Sequence, residues 1–298
     1  MILQNKYYDN LQNFLNSSLY THSILHIDLN SNKIGDDGVS SLGSALQKCD
    51  NLSNLTLSLN GNQIGYQGTL SICSALEQCT QLSNLTIYLG WNRIQDEDAS
   101  NLGFALAKCS NISNLALYLH SNKISDEGVS SFSFDIANFP NISSLALSFG
   151  DNYISAKGAL GLSHAIAKCT NLSNLTLDLC GNQICDEGSS GLSFVLAKCT
   201  NLSNLTLYLS SNRIGSKGAS DLGFALVTFA NLQNLTLYLS QNKIGDEGAS
   251  NLGFALSKCT NLLNLTLSLG YNQINESKQM KVNKRCIKSK RLVVFENQ

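Results

Sequence analysis

Large apolar residues alternate with smaller or polar residues along short stretches that return throughout the chain. Leu205, Leu207 and Leu209 form one such stretch, and a similar alternation precedes each copy of an Asn-x-Ile motif. Alternation with a period of two predicts a β-strand with one buried face. The motif recurs every 30 residues without an insertion, at Asn32/Ile34, Asn62/Ile64, Asn92/Ile94, Asn122/Ile124, Asn152/Ile154, Asn182/Ile184, Asn212/Ile214, Asn242/Ile244 and Asn272/Ile274.

Each Asn-x-Ile motif is followed by a turn and then by apolar residues at helical spacing. In one copy the turn is residues 245–248, and the apolar residues are Leu252, Ala255 and Leu256. Spacings of three and four place these side chains on one face of a helix. An aspartate lies where several of these helices begin and would act as an N-cap that accepts hydrogen bonds from the first amide groups. These aspartates are Asp36, Asp96, Asp126, Asp186 and Asp246.

One strand and one helix cannot bury both of their apolar faces alone, so the repeats must stack. Stacked strands would lie about 4.8 Å apart and stacked helices about 10 Å apart. Because these spacings differ, the stack must bend with its strands inside. We therefore expect one α/β solenoid curved into a horseshoe. The recurrent Asn would hydrogen-bond neighbouring backbone groups at each strand end, which is a structural role.

The repeat resembles the leucine-rich repeat of the ribonuclease-inhibitor-like subfamily. Residues 235–256, LTLYLSQNKIGDEGASNLGFAL, carry its spaced leucines, its Asn-x-Ile and its Asp-x-Gly before a helix. The resemblance covers nearly the whole chain. It implies a right-handed α/β solenoid of nine 30-residue strand-turn-helix repeats, with a parallel concave sheet and helices on the convex side. One departure is that Asn62 lies two residues further from Leu57 than the motif requires; Leu59 fills this step and predicts a strand longer by one dyad.

We expect a single domain over residues 1–298, with the repeats between two caps. Leu11, Phe14 and Leu15 follow helical spacing ahead of the first repeat and predict a cap helix. Residues 291–295 fall on the phase of the earlier strands and predict a truncated last strand. The predicted boundaries are 1–20 for the N-terminal cap helix, 21–274 for the repeats and 275–298 for a basic C-terminal cap.

The C-terminal cap holds seven basic residues against two acidic ones, Glu276 and Glu296. The favoured interpretation is that these charges solvate the surface of the cap. The alternative is a site for an acidic partner, an RNA or a lipid headgroup. Because no aromatic residue is interleaved before Phe295, a nucleic-acid site has weak support. The basic residues are Lys278, Lys281, Lys284, Arg285, Lys288, Lys290 and Arg291.

Composition places the chain among folded proteins. Its 298 residues are 43% hydrophobic and 14% charged, with a formal net charge of -1. Such a chain buries a large core, and its near-neutral charge gives no reason to expect nucleic acid as a partner. Polar residues interrupt every leucine run before the roughly 18 apolar residues that a membrane span needs. The N-terminal segment lacks the basic start and apolar stretch of a secretory signal, so we expect an intracellular, cytoplasmic protein without a membrane span.

Six of the ten cysteines occupy one repeat position, at which Phe139 and Phe229 substitute. Because Phe replaces neither a disulfide nor a metal ligand, we interpret this position as an apolar core slot in a protein of a reducing compartment. The other four cysteines show no C-x-x-C spacing and no partnered His, so we expect no metal. The slot cysteines are Cys49, Cys79, Cys109, Cys169, Cys199 and Cys259.

The sequence contains no set of residues that converges on catalysis. Its four histidines, His22, His26, His120 and His164, fall in different repeats or on different faces, so no nucleophile has a base beside it. No phosphate-binding glycine motif is present, and the recurrent glycines mark turns. We therefore expect neither an enzyme nor a cofactor.

The residues between the buried leucines would project into the concave face, and they vary from repeat to repeat. Tyrosines come in two pairs on neighbouring strands, where they would stack about 4.8 Å apart. Tyr is enriched at binding hot spots, although β propensity and cross-strand packing are an alternative reason for it. We favour binding because a parallel sheet needs no exposed aromatic residue. The predicted protein-binding residues are Tyr88, Trp91, Tyr118, His120, Asp178, Tyr208, Tyr238 and Tyr271.

A row of phenylalanines recurs two residues after a buried helical Leu. At 100° per residue each ring lies about 200° from that Leu, which is towards the convex side. The favoured interpretation is that each ring leans sideways and fills the gap between adjacent helices. Self-association through this stripe is the alternative. The row consists of Phe104, Phe134, Phe194, Phe224 and Phe254, and His164 interrupts it.

These observations favour a non-enzymatic scaffold that binds another protein across its concave face. The alternative is a regulatory module, because similar repeats occur in Ran GTPase-activating proteins and as sensor domains of immune receptors and kinases. The acidic tail expected of the GTPase-activating family is replaced here by a basic one, and no nucleotide-binding module precedes the repeats. Inhibition of a ribonuclease is less favoured, since the concave face is not strongly acidic.

Overall fold

The computed structural model describes residues 5–137, 139, 141–286 and 292–294, and the chain divides into two compact units, Met1–Asn152 and Tyr153–Gln298. The first unit holds strands β1 Asn5–Tyr8, β2 Ile24–Asp28, β3 Asn54–Ser58, β4 Asn84–Tyr88, β5 Asn114–Tyr118 and β6 Ser144–Ser148, with helices α1 Leu11–Leu15, α2 Gly35–Leu46, α3 Tyr66–Gln78, α4 Asp96–Ala107 and α5 Asp126–Ile136. The second unit holds helices α6 Ala156–Ile166, α7 Cys185–Leu196, α8 Ser216–Val227, α9 Gly245–Leu256 and α10 Glu276–Cys286, with strands β7 Asn174–Asp178, β8 Asn204–Tyr208, β9 Asn234–Tyr238, β10 Asn264–Ser268 and β11 Leu292–Val294.

The strands of each unit pair in parallel and in chain order. Between consecutive repeats each strand residue lies opposite the residue 30 positions further on, so that Leu205 faces Leu235. Pairing continues beyond the strand ends, because the Leu59 and Gly61 amides donate to the carbonyls of Tyr88 and Gly90 at 2.8 and 3.0 Å. The α/β solenoid predicted from the 30-residue period is therefore confirmed.

The core of each unit lies between its strands and its helices. The alternating leucines of the strands form the sheet side of this core. The helical residues at spacings of three and four, such as Leu252 and Leu256, form its helix side. Small residues let the helices come together. A Cβ atom on Gly103 of α4 would lie 2.9 Å from the Cα atom of Phe132 in α5, closer than side chains tolerate. No described helix is long and apolar enough to cross a lipid bilayer.

The recurrent Asn is buried and links successive repeats. Asn242, 6% exposed, accepts hydrogen bonds at its Oδ1 atom from the amides of Asn212 and Ile214 at 3.0 and 2.9 Å. Its Nδ2 group donates to the carbonyls of Leu209 and Leu239, each at 2.9 Å. The side chain thus satisfies backbone groups of two repeats, and the predicted structural role is confirmed.

The aspartates at the helix starts do not act as predicted. Asp186 lies in the first turn of α7 rather than at its N-cap. Its Oδ1 atom accepts hydrogen bonds from the amides of Gly215 and Gly218, at 2.6 and 2.8 Å, at the start of the next helix. Asp36 and Asp96 bond the following repeat in the same way. The N-cap assignment is wrong because the stacked neighbour offers amides within reach, so the carboxylate caps the next repeat.

The N-terminal segment contributes a strand that the sequence pattern did not predict. β1 precedes the short helix α1 and pairs in parallel with β2, with Tyr7 opposite His26. Phe14 of α1 is fully buried, and its ring lies 5.4 Å from the Tyr8 ring in an edge-on arrangement. The strands of the first unit are thus extended by one strand that shows no leucine alternation.

The basic segment begins with α10, which packs Val282 into the second unit and exposes Lys281 and Lys284. β11 pairs in parallel with β10, at the place where the truncated strand is expected. Lys278 and Arg285 also belong to α10. Residues 287–291, which hold Lys288, Lys290 and Arg291, and residues 295–298 lie outside the described part of the chain.

The repeated cysteine position is a core slot. Cys49, Cys79, Cys109, Cys169 and Cys199 are each at most 8% exposed, and the substituting Phe139 and Phe229 are 5% and 7% exposed. Burial raises the pKa of these thiols, to about 11 for Cys49 and to about 12 for Cys79. At neutral pH these cysteines are therefore protonated thiols, which react poorly as nucleophiles.

We expect Asn242→Ala to lower the free energy of unfolding by about 2–4 kcal/mol, because two buried amides lose their acceptor. The matched control is Asn261→Ala, which removes one exposed hydrogen bond to the Ala230 carbonyl and should cost about 1 kcal/mol or less. Urea denaturation followed by circular dichroism measures both. Equal urea midpoints for the two variants would contradict the proposed role of the recurrent buried Asn in linking repeats.

We expect the five buried slot cysteines to resist alkylation in the native protein at about pH 8, since burial raises their pKa values; they are Cys49, Cys79, Cys109, Cys169 and Cys199. Cys185 is half-buried at the start of α7 and should be labelled first. Iodoacetamide labelling with peptide mass spectrometry resolves each site, and unfolding in urea should make the labelling uniform. Rapid native labelling of Cys79 would show that the slot opens.

Candidate functional site

The predicted binding residues of the first unit come together at the ends of β4 and β5. Tyr88 and Tyr118 occupy paired positions on these strands. Their rings are stacked, with centroids 4.5 Å apart and planes within 5° of parallel. The stacking follows from the strand spacing of about 4.8 Å, which lies within the range of centroid separations at which aromatic rings stack with an offset.

A second pair has the same geometry in the second unit. Tyr208 of β8 and Tyr238 of β9 are paired in the sheet, and their ring centroids lie 4.9 Å apart at 12°. Asp178 of β7 is the sheet neighbour of Tyr208 on its other side. Burial raises the pKa of the Tyr208 phenol, and Tyr238, Asp178 and Cys180 add to the shift. The hydroxyl therefore stays protonated and can both donate and accept hydrogen bonds.

Trp91 and His120 form an aromatic contact beside the first tyrosine pair. Their ring centroids lie 4.4 Å apart at 90°, and the Trp91 side chain is 62% exposed. Gly90 makes room for the imidazole, since a Cβ atom there would lie 2.4 Å from the His120 ring. The Trp91 amide donates to the His120 carbonyl at 3.0 Å. The indole is thus presented to solvent by a constrained turn.

The residue before the recurrent Asn has a left-handed backbone throughout the repeats. The set is Ser31, Gly61, Trp91, Ser121, Asp151, Gly181, Ser211, Gln241 and Tyr271, with φ between 52° and 66°. Bulky residues rarely adopt this conformation, whereas Gly adopts it readily. Trp91 at 52° and Tyr271 at 56° therefore place large exposed rings where the backbone favours small residues. Such conformations are common at functional sites.

Each unit therefore holds half of the predicted set. Tyr88, Trp91, Tyr118 and His120 gather in the first unit, and Asp178, Tyr208 and Tyr238 in the second, where Tyr271 lies after β10.

Two features of this sheet face were not predicted. Tyr7 of β1 is 58% exposed and contacts the His26 ring at 5.1 Å; it was missed because no leucine alternation marks β1. The second feature is a ladder of side-chain amides at the strand starts, where Asn204 donates to Asn174 at 2.6 Å and Asn234 donates to Asn204 at 2.5 Å. Because Asn recurs at this position every 30 residues, the sequence could have predicted this row of hydrogen-bonded side-chain amides.

The phenylalanine stripe contradicts the predicted sideways packing. The helices approach each other through small residues such as Gly103, and the rings are exposed to solvent instead of being buried between the helices. The exposed fractions are 55% for Phe104, 74% for Phe134, 68% for Phe194, 54% for Phe224 and 46% for Phe254. The helices thus present a second aromatic surface on the side away from the sheet.

Among the described residues, no group of three His, Cys, Asp or Glu side chains is placed to hold a metal ion.

Known proteins share the repeat and the fold. A family model described as Leucine Rich repeat matches residues 21–43, 115–133, 201–223 and 231–253. The comparison with curated proteins finds no match. Among solved structures, a Bacteroides fragilis protein is similar at 18% identity over 91% of this chain and 74% of that chain, with a TM-score of 0.53.

Two further solved structures are similar at lower TM-scores. Internalin C2 from Listeria monocytogenes is 18% identical over 96% of this chain and 90% of that chain, with a TM-score of 0.44. A chain of the yeast Rad7 and Elc1 complex is 14% identical over 98% of this chain and 80% of that chain, with a TM-score of 0.42. The matched stretches are similar to leucine-rich repeats, and the strand-turn-helix units on which they fall recur along the chain with the same 30-residue period.

Proposed function

We propose that this chain is a non-enzymatic scaffold of the ribonuclease-inhibitor-like subfamily that binds another protein through the exposed face of its sheet. The observation that carries the proposal is the presence of a stacked tyrosine pair in each unit, at 4.5 and 4.9 Å. Leucine-rich repeat proteins typically act as interaction scaffolds, which supports the same conclusion.

The exposed chemistry of the sheet face suits a protein surface. Tyr and Trp combine a large apolar area with a polar group and have few rotatable bonds, which is why they dominate binding hot spots. Stacking covers the inner ring faces of each pair, so a ligand meets ring edges, phenol hydroxyls and the outer faces. Ser58 and Ser148, the sheet neighbours of the first pair, are too small to cover those outer faces. A partner side chain can therefore pack beside the first pair.

The site is built before a partner arrives. Each tyrosine is held by a strand and by its stacked neighbour, and Trp91 is held by a left-handed turn and by the contact with His120. A rigid surface loses little conformational entropy on binding, so more of the contact energy contributes to affinity. Trp91, His120 and Asp178 would add specificity, because they differ from the residues at the same positions of neighbouring repeats.

We expect replacement of the four paired tyrosines by Ser to remove the bound partner, because the anchors of the interface are lost. Affinity capture from native lysate with quantitative mass spectrometry compares this variant with the wild type. A partner should fall by about tenfold or more, which corresponds to about 1.4 kcal/mol.

The matched control replaces exposed tyrosines outside the two pairs, at Tyr20, Tyr66 and Tyr153. This variant loses the same kind of residue and should retain the partner. Equal capture by both variants, with unchanged circular dichroism, would rule out the tyrosine pairs as the binding site.

We expect a double-mutant cycle on Tyr208→Ala and Tyr238→Ala to show a coupling of about 0.5–1.5 kcal/mol, because the rings stack. The control cycle pairs Tyr208→Ala with Lys258→Ala, a cation beyond the end of α9, and should give about zero. Urea unfolding measures the free energy of unfolding of each single and double variant. Additive effects of the two tyrosines would mean that stacking does not preorganise the site.

A further inference from the structure

The helices of the second unit expose an aromatic row that the sheet-face function does not use. We call this surface the Phe face: it comprises the exposed sides of α7, α8 and α9 with Phe194, Phe224 and Phe254. Val227 adds an apolar side chain that is 40% exposed. Contiguous apolar surface of this kind marks an association site.

A groove runs between α7 and α8 within the Phe face. It encloses about 770 Å³, and Phe194 and Phe224 line it together with Gly191 and Ala225. The groove can accept an aromatic ring from an opposing surface, and the two phenylalanines that line it can fill a groove of the same shape.

Charged rows border the Phe face on both sides. Glu187 and Glu247 are exposed near the N-terminal ends of α7 and α9. Lys198 and Lys258 are exposed just beyond the C-terminal ends of the same helices, and each ammonium group lies within 6 Å of the centre of a Phe ring. The central helix, α8, adds no net charge to either row, because its Lys217 ammonium group pairs with the Asp221 carboxylate at 2.7 Å. One edge is thus acidic and the other basic.

We propose that the Phe face binds a second copy of this chain, with the helices of the two copies antiparallel. A two-fold axis along the stacking direction of the helices turns the acidic edge of one copy onto the basic edge of the other. Glu187 then lies opposite Lys198 of the second copy, the phenylalanines meet in the centre, and the helix dipoles are opposed. In this orientation the charges and the apolar side chains of one Phe face are complementary to those of the other.

The other two-fold arrangement of the same faces is disfavoured by charge. If the axis runs along the helices, α7 of one copy lies on α9 of the other with the helices parallel. Glu187 then meets Glu247, and Lys198 meets Lys258. Like charges across an interface oppose association, so the charge rows select the antiparallel dimer.

The size of the Phe face is sufficient for a specific interface. Each of the three helices has 12 residues, which corresponds to about 18 Å, and neighbouring helices lie about 10 Å apart. The face therefore covers roughly 500 Å² on each copy, or roughly 1,000 Å² in the dimer, which is about the minimum for a biological interface and is typical of a weak dimer.

Sedimentation velocity and light scattering on the full chain test the proposal. We expect the wild type to reach twice the 32.2 kDa chain mass as its concentration rises from about 1 to about 100 µM, and Phe194→Ser/Phe224→Ser/Phe254→Ser to weaken the dimer by about 100-fold or more. Replacing exposed Tyr20, Tyr66 and Tyr153 by Ser is the control and should leave the dimer intact. A monomeric wild type throughout this range, or a dimer that survives the triple substitution with unchanged circular dichroism, would overturn the proposal.

Charge reversal tests the orientation without changing the apolar core of the interface. Glu187→Lys/Glu247→Lys should weaken the dimer, because it places Lys against Lys in the antiparallel arrangement. The variant that also carries Lys198→Glu/Lys258→Glu should dimerise again, and added salt should reduce all of these differences. An unchanged dimer in the first variant at low salt would disprove the antiparallel orientation.

Discussion

The amide groups at the strand ends impose the constraint on which the repeat structure depends. Where the chain leaves the sheet, backbone amides such as those of Asn212 and Ile214 are buried and have no partner strand. The Oδ1 atom of Asn242, one repeat further on, accepts from both, while its Nδ2 group satisfies carbonyls of both repeats. Because one side chain serves two repeats, an inserted residue would break bonds on both sides. This explains why the period of 30 residues is held without an insertion.

The same constraint determines what the surface can display. In-register strands bring equivalent positions side by side, so two tyrosines in consecutive repeats must stack, as Tyr208 and Tyr238 do. The residue before the Asn is held in the left-handed region in every repeat, which directs Trp91 and Tyr271 outward. The buried recurrent Asn residues and the leucine core stabilise the stacked repeats, so the positions between the leucines are available for recognition. The variable sheet face and the constant core are two results of one hydrogen-bonding pattern.

The period and the alternation were sufficient to predict the strands, the helices, the buried Asn and the paired tyrosines, because each depends on spacing along the chain. The errors lie where a neighbouring repeat competes with a local rule. Asp186 has the sequence context of an N-cap but bonds the next repeat, and β1 forms because the edge of β2 is available for pairing. Helical phase gave the direction of the phenylalanines, whereas their exposure depends on how closely small residues such as Gly103 bring the helices together.

The two aromatic surfaces lie on opposite sides of the layers of the second unit, and this has a consequence for binding. Association through Phe194, Phe224 and Phe254 would leave Tyr208 and Tyr238 of both copies open to a partner. A dimer would then carry two sheet faces, and the second contact with a multivalent partner would form at a high effective concentration. Weak recognition by each tyrosine pair would become strong through avidity, without any further contact. The helix side would therefore set the strength of binding, and the sheet side its specificity.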